Sequence, residues 1–179
     1  MAAPASSMME AITVEQPQWF AIQTRSRHEK KVAAEIRDRG ISIFLPLYSS
    51  VHRWSDRRKT VQLPLFPGYV FVNTVYTPEN RIAVLRVPGV AYFVGEQGRG
   101  TPIPEKQIED IRTILEKDIP FEVYPFIKVG QRVRIRGGSL EGLEGTLVSK
   151  NADQSLAVSI ELIQKTVIVR VTGYDLEVI

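Results

Sequence analysis

Between Asp118 and Ile127 the sequence changes rhythm, and that change constrains the fold more than any other feature of the 179 residues. Upstream, strand-like runs alternate with segments of helical spacing. Downstream come only short alternating runs, Arg132 to Arg136, Gly145 to Ser149, Leu156 to Glu161 and Thr166 to Val171, punctuated by Gly, Asn and Asp. Pro120 and Pro125 interrupt the chain at the change. The expected organisation is therefore a frayed leader over residues 1–17, an α+β unit over 18–117, a linker over 118–127, and an all-β unit over 128–179 that closes as a small barrel.

Within the first unit, WFAIQT from Trp19 to Thr24 reads as a buried strand. The stretch after it has helical spacing, with Ser26 as the expected N-cap, Val32, Ala33 and Ile36 on the inner side, and Gly40 as the terminating glycine. Ile41 to Tyr48 is expected as a second strand and Tyr69 to Val75 as a third. A short helix runs from Pro78 to Leu85, and Val90 to Val94 is the fourth strand. Pro104 opens a last helix in which Ile108, Ile111 and Leu115 keep 3-4 spacing. The expected architecture is an antiparallel sheet with helices on one face.

Charge is uneven. Six Lys/Arg stand against three acids between Arg25 and Arg39, and four against one between Arg53 and Lys59, in a chain whose net charge is only +3. Positive potential is thus gathered in two places where a polyanion can use it, although two solvated faces would look the same at this level. From residue 128 onward seven Lys/Arg nearly balance six acids. That balance favours a protein partner over a nucleic acid for the second unit.

Several classes of function find no support in the residues. There is no cysteine, so disulfides, thiolate metal sites and Cys nucleophiles are out, which suits a cytoplasmic location. No run is apolar enough to cross a bilayer, and the leader, charged only at Glu10 and Glu15, has the form of neither anchor nor signal peptide. The chain has no P-loop, nucleophile elbow or HExxH pair, and His28 and Glu29 are helix neighbours that do not face each other. No catalytic residue, metal ligand or cofactor is expected.

Four phrases in order carry a family resemblance: WFAIQTRSRHEKKV from Trp19, PLFPGYVFV from Pro64, RVPGVAYFVG from Arg86, and VGQRVRIRGGSLEGLEGTLVSK from Val129. Together they resemble the NusG family of transcription elongation and antitermination factors over nearly all of Trp19 to Ile179. The last phrase is similar to a KOW motif with Gly145 as its central glycine. TRSRHEKKV, FLPL, RWSDRRK and PLFPGYVFV look closest to specialised antitermination paralogues of the UpxY type. IELIQKTVIVRV departs from the Phe-Gly-Arg stretch common in the housekeeping factor. Housekeeping NusG and a ribosome-associated KOW protein that binds RNA are the alternatives.

The resemblance implies a site as well as a fold. An apolar pocket on the first domain would receive the RNA polymerase clamp helices, with Phe66, Pro67 and Tyr69 at the pocket and Trp19 and Phe20 beside it. Aromatic anchors suit this role because each removes a large apolar area from water with few rotors to freeze. Trp19, Phe20 and Phe71 read equally well as core. Arg25, Arg27, His28 and Lys31 would face the non-template DNA strand near the upstream fork. Arg53, Arg57, Arg58 and Lys59, on a hairpin tip turned at Ser55-Asp56, would touch DNA or polymerase. The KOW domain would engage a small-subunit ribosomal protein or a termination factor, and the Val/Ile alternation of TVIVRV implies that it stays β.

Overall fold

The computed structural model describes residues 16–53, 58–125, 130–150 and 153–179. The leader up to residue 15, the Ser55-Asp56 turn and part of the expected linker lie outside the described residues. In chain order the elements begin with β1 (Gln18–Thr24), α1 (Glu29–Asp38), β2 (Ser42–Phe44), β3 (Leu47–Arg53) and β4 (Arg58–Pro64). They continue with β5 (Tyr69–Thr74), α2 (Pro78–Leu85), β6 (Val90–Phe93), α3 (Glu105–Glu116) and β7 (Phe121–Pro125). The remaining strands are β8 (Gln131–Arg136), β9 (Glu144–Lys150), β10 (Asp153–Ile160), β11 (Lys165–Arg170) and β12 (Asp175–Val178).

The first sheet has the order β2-β5-β1-β6, antiparallel throughout, with β5 and β1 at its centre. Side chains alternate across a strand, so β1 feeds two cores. Phe20 and Ile22 join Val70 and Val72 of β5, opposite them in register, beneath Val32, Ala33 and Ile36 of α1 and Val84 of α2. Trp19 and Ala21 point the other way, to Phe71 and to Ile108, Ile111 and Ile114 of α3. Helices therefore cover both faces, not one. The sheet is apolar on both sides, and its α3-facing core needs a cover of its own.

Local chemistry places the breaks. Ile41 to Tyr48 is not one strand: buried Pro46 stops β2 after Phe44, and the chain re-enters as β3 at Leu47. β3 and β4 form a separate two-stranded hairpin, Leu47 opposite Pro64 through Arg53 opposite Arg58. At α1 the N-cap is His28 rather than Ser26, with no capping side chain; Nδ1 of His28 lies 3.0 Å from the Ser26 carbonyl instead. Gly40 follows the helix at φ +78°, the left-handed conformation that ends helices cheaply only with glycine. In α2 the Thr77 hydroxyl accepts the Asn80 amide at 3.2 Å, with Pro78 in the first turn.

The C-terminal sheet has six strands in the order β12-β8-β9-β10-β11-β7. Two of these were not among the expected strands: β12, and β7, which falls in the stretch expected to be linker and pairs Phe121–Pro125 with β11. Val133, Ile135, Leu140, Leu143, Leu156, Val158, Ile160, Val167, Val169 and Val171 form the interior. Strands β9 and β10 approach so closely at Gly145 that a Cβ there would lie 2.4 Å from the Ala157 carbonyl oxygen. The KOW-like glycine is thus required by backbone proximity. β10 is buried along Leu156 to Val158, where α3 packs on it, and the apolar clusters of the two units are continuous through α3.

Candidate functional site

The turn Phe66-Pro67-Gly68-Tyr69 is the centre of the site. Pro presets the second position, Gly68 takes φ +85° at the third, and the Tyr69 amide donates to the Phe66 carbonyl at 3.1 Å. Two further bonds fix it. The Thr24 amide donates to the Gly68 carbonyl at 2.8 Å, and the Gly68 amide donates to Oε1 of Glu29 at 2.8 Å. Glu29, buried at the first turn of α1, thereby ties the helix to the turn.

Beneath the turn lies a row of rings. Phe66 meets Phe71 edge-on at 6.2 Å, Phe71 lies 6.2 Å from Phe44, and Phe44 meets Trp19 edge-on at 6.4 Å. The Arg112 guanidinium of α3 sits over Phe44 at 5.1 Å and Trp19 at 5.9 Å, held from behind by Glu109 at 2.6 Å. Phe44 and Arg112 were absent from the expected site. The FLPL phrase signals Phe44, whereas nothing in the helical spacing of α3 distinguishes Arg112 from a solvated arginine.

Placement separates the expected anchors. Phe66 is 1% exposed and Trp19 7%, so both form the bed of the site rather than its outer surface. Phe66 is pulled inward because the ring row offers it edge contacts that solvent cannot. Phe20 does not join at all. One residue along β1 from Trp19, it faces the opposite core against Tyr76 at 4.8 Å and Phe93 at 6.1 Å. What reaches solvent is exposed Pro67 and half-buried Tyr69. An adjoining groove of about 320 Å³ is lined by Phe44 to Leu47, Arg112, Leu115 and Glu116.

The basic residues flank this surface. Arg25, Arg27 and Lys31 are exposed and His28 is half-buried. The loop bearing them is fixed by the Arg25 amide, which donates to the Gly89 carbonyl at 2.8 Å, and by Arg27 at φ +63°. Because Glu29 holds both α1 and the Pro67-Gly68 turn, the cationic loop and the apolar turn share one rigid support. Arg58 and Lys59 are exposed on β4, where Lys30 of α1 donates to the Gln62 carbonyl, 2.6 Å away. Backbone register sets Arg53 opposite Arg58; the side chains of Arg53 and Arg57 lie outside the described residues. Among the described residues no group of three or more His, Asp or Glu is arranged to hold a metal ion, and no helix is long and apolar enough to cross a membrane.

Together these elements make an α+β unit with an aromatic bed and a cationic margin, followed by an all-β unit. A family model described as "Transcription termination factor nusG" matches residues 17–112. The transcription termination/antitermination protein NusG of Lactococcus lactis is 30% identical over 174 residues, covering 89% of this chain and 91% of that protein. That of Staphylococcus aureus strain Mu50 is 30% identical over 151 residues, covering 76% and 81%. A solved structure of Thermotoga maritima NusG matches with a TM-score of 0.53 and 24% identity over 90% of this chain and 97% of that one, which shows a shared fold. The chain belongs to the NusG family, a family of transcription termination and antitermination factors rather than of enzymes.

Proposed function

We propose that this chain binds the clamp helices of RNA polymerase through its N-terminal unit, suppresses pausing or termination, and recruits a protein partner through its C-terminal unit. One observation carries the reading: a Pro67-Gly68 turn fixed by backbone and Glu29 hydrogen bonds presents Pro67 and Tyr69 to solvent above a row of buried and half-buried rings. Such a surface loses little conformational freedom on docking, so the apolar area it buries is converted efficiently into affinity. The cationic loop beside it suits the non-template strand, whose phosphates would be contacted without regard to sequence. The polymerase keeps the chemistry. The factor supplies differential affinity for the closed, active clamp, which is all that a binder can contribute to shifting that equilibrium.

An operon-specific role of the UpxY type is the finer form of this proposal, supported by the phrases TRSRHEKKV and RWSDRRK. An elongation assay on a pause-containing template tests the function. The full chain should shorten pauses, and Tyr69→Ala should lose that effect while retaining its fold. Unchanged pausing with the wild-type chain at saturating concentration would overturn the reading.

A further inference from the structure

Helix α3 lines the groove beside the aromatic bed with two opposite charges one turn apart, Arg112 and Glu116. The rest of the wall is apolar, Phe44 to Leu47 on one side and Leu115 on the other. Residues four apart share a helix face, but Arg112 pairs back to Glu109 at 2.6 Å and not forward to Glu116. Glu109 takes only Nη1 of the guanidinium, whose carbon lies over Phe44 and Trp19. The other N–H groups of Arg112 have no hydrogen-bond partner among the described residues, and its side chain is 33% exposed. Glu116 is exposed and has no ion-pair partner among the described residues.

Glu116 is also poorly placed for the helix itself. The C-terminal carbonyls of α3 carry partial negative charge, and its last turn has no basic residue to offset them. Asp118, just beyond, borders a neighbouring cleft of about 500 Å³ that shares Leu47 and Leu115 with the groove. Lys117, the C-cap residue, lines neither. The groove is therefore positive at Arg112 and negative toward the end of α3.

We propose that this charge order selects the direction of the docking helix: the groove takes a polymerase helix that brings a carboxylate to Arg112 and a basic side chain toward Glu116 and Asp118. The inference rests on the clamp reading and adds to it the charge order of the partner. Run the other way, the same helix would set like charges together at both ends of the groove, which rejects it. Arg112 carries most of the selection. The rings and Glu109 already hold its guanidinium, so little rotamer freedom is lost when a carboxylate docks on the N–H groups still open. Glu116, exposed at the rim, contributes less to affinity than to orientation.

The test titrates the full chain against core RNA polymerase without nucleic acid, so that the cations assigned to DNA have no DNA to bind. Arg112→Gln and Arg112→Glu introduce side chains of the same shape that differ in charge. Arg112→Gln should weaken binding at least about fivefold, and Arg112→Glu should bind more weakly still, with the gap closing at high salt. Glu116→Lys should also weaken binding, by about two- to fivefold. That result separates a charge order from a merely acidic partner, to which the added lysine would bind more tightly. Urea denaturation checks that each variant is folded. Tyr69→Ala is titrated beside them. If it binds as tightly as wild type, or the wild-type chain does not bind, the clamp reading falls and this inference with it. If Tyr69→Ala weakens binding while Arg112→Gln and Arg112→Glu bind alike, or Glu116→Lys binds at least as tightly as wild type, the charge order alone is overturned.

Discussion

Oε1 of Glu29 accepts the Gly68 amide at 2.8 Å, joining the first turn of α1 to the turn that presents Pro67 and Tyr69. The bond spans the apolar and cationic halves of the candidate site. Its loss should disturb both.

Glu29→Ala leaves the Gly68 amide without its partner in a part-buried position. A cost of about 1–3 kcal/mol in unfolding free energy is expected. Urea denaturation of the full chain measures it. A change smaller than the error of that measurement would show that water replaces the carboxylate freely.

Gly68→Ala should destabilise through the backbone. An L-residue at φ +85° is strained by roughly 1–2 kcal/mol, and the new Cβ would lie 3.0 Å from Gln23 Nε2. The expected outcome is weaker polymerase binding together with a lower Tm.

Gly145→Ala probes the second unit. With the Cβ forced to within 2.4 Å of the Ala157 carbonyl oxygen, strands β9 and β10 must move apart. Destabilisation of about 1–3 kcal/mol or more is expected, located by hydrogen exchange in β9 and β10 with β1 protected as before.

Replacing Arg25 and Lys31 by glutamine should leave stability unchanged, because both side chains are exposed. If they neutralise phosphates, the log–log salt dependence of single-stranded DNA binding should flatten by roughly 0.7 for each cation removed. An unchanged slope would return these residues to the solvated face.

Much of the fold was legible because it rests on local rules. Val32, Ala33 and Ile36 fall on one side of α1 by helical periodicity alone, Gly40 ends it for steric reasons, and Pro78 marks the start of α2. What escaped was decided by distant partners. β7 and β12 are strands because β11 and β8 pair with them, and no five-residue window encodes that. Whether α3 lies on the face with α1 or opposite it depends on which side of an all-apolar sheet remains open.

The site divided in the same way. Pro67-Gly68 announces a turn, and exposed Arg25, Arg27 and Lys31 follow from their polarity. The inward turn of Phe66 depends on Phe71 and Phe44, and the separation of Phe20 from Trp19 depends on strand alternation. Alternation was readable in WFAIQT. It assigns neighbouring aromatics to opposite faces, so Trp19 and Phe20 could not both line one pocket.

The most direct test of the central claim is equilibrium binding of the full chain to core RNA polymerase, titrated side by side for wild type and Tyr69→Ala. The account predicts saturable binding that weakens at least about tenfold in the variant, a loss of about 1.4 kcal/mol. Equal affinity for the two proteins, or no association of the wild-type chain, would contradict it.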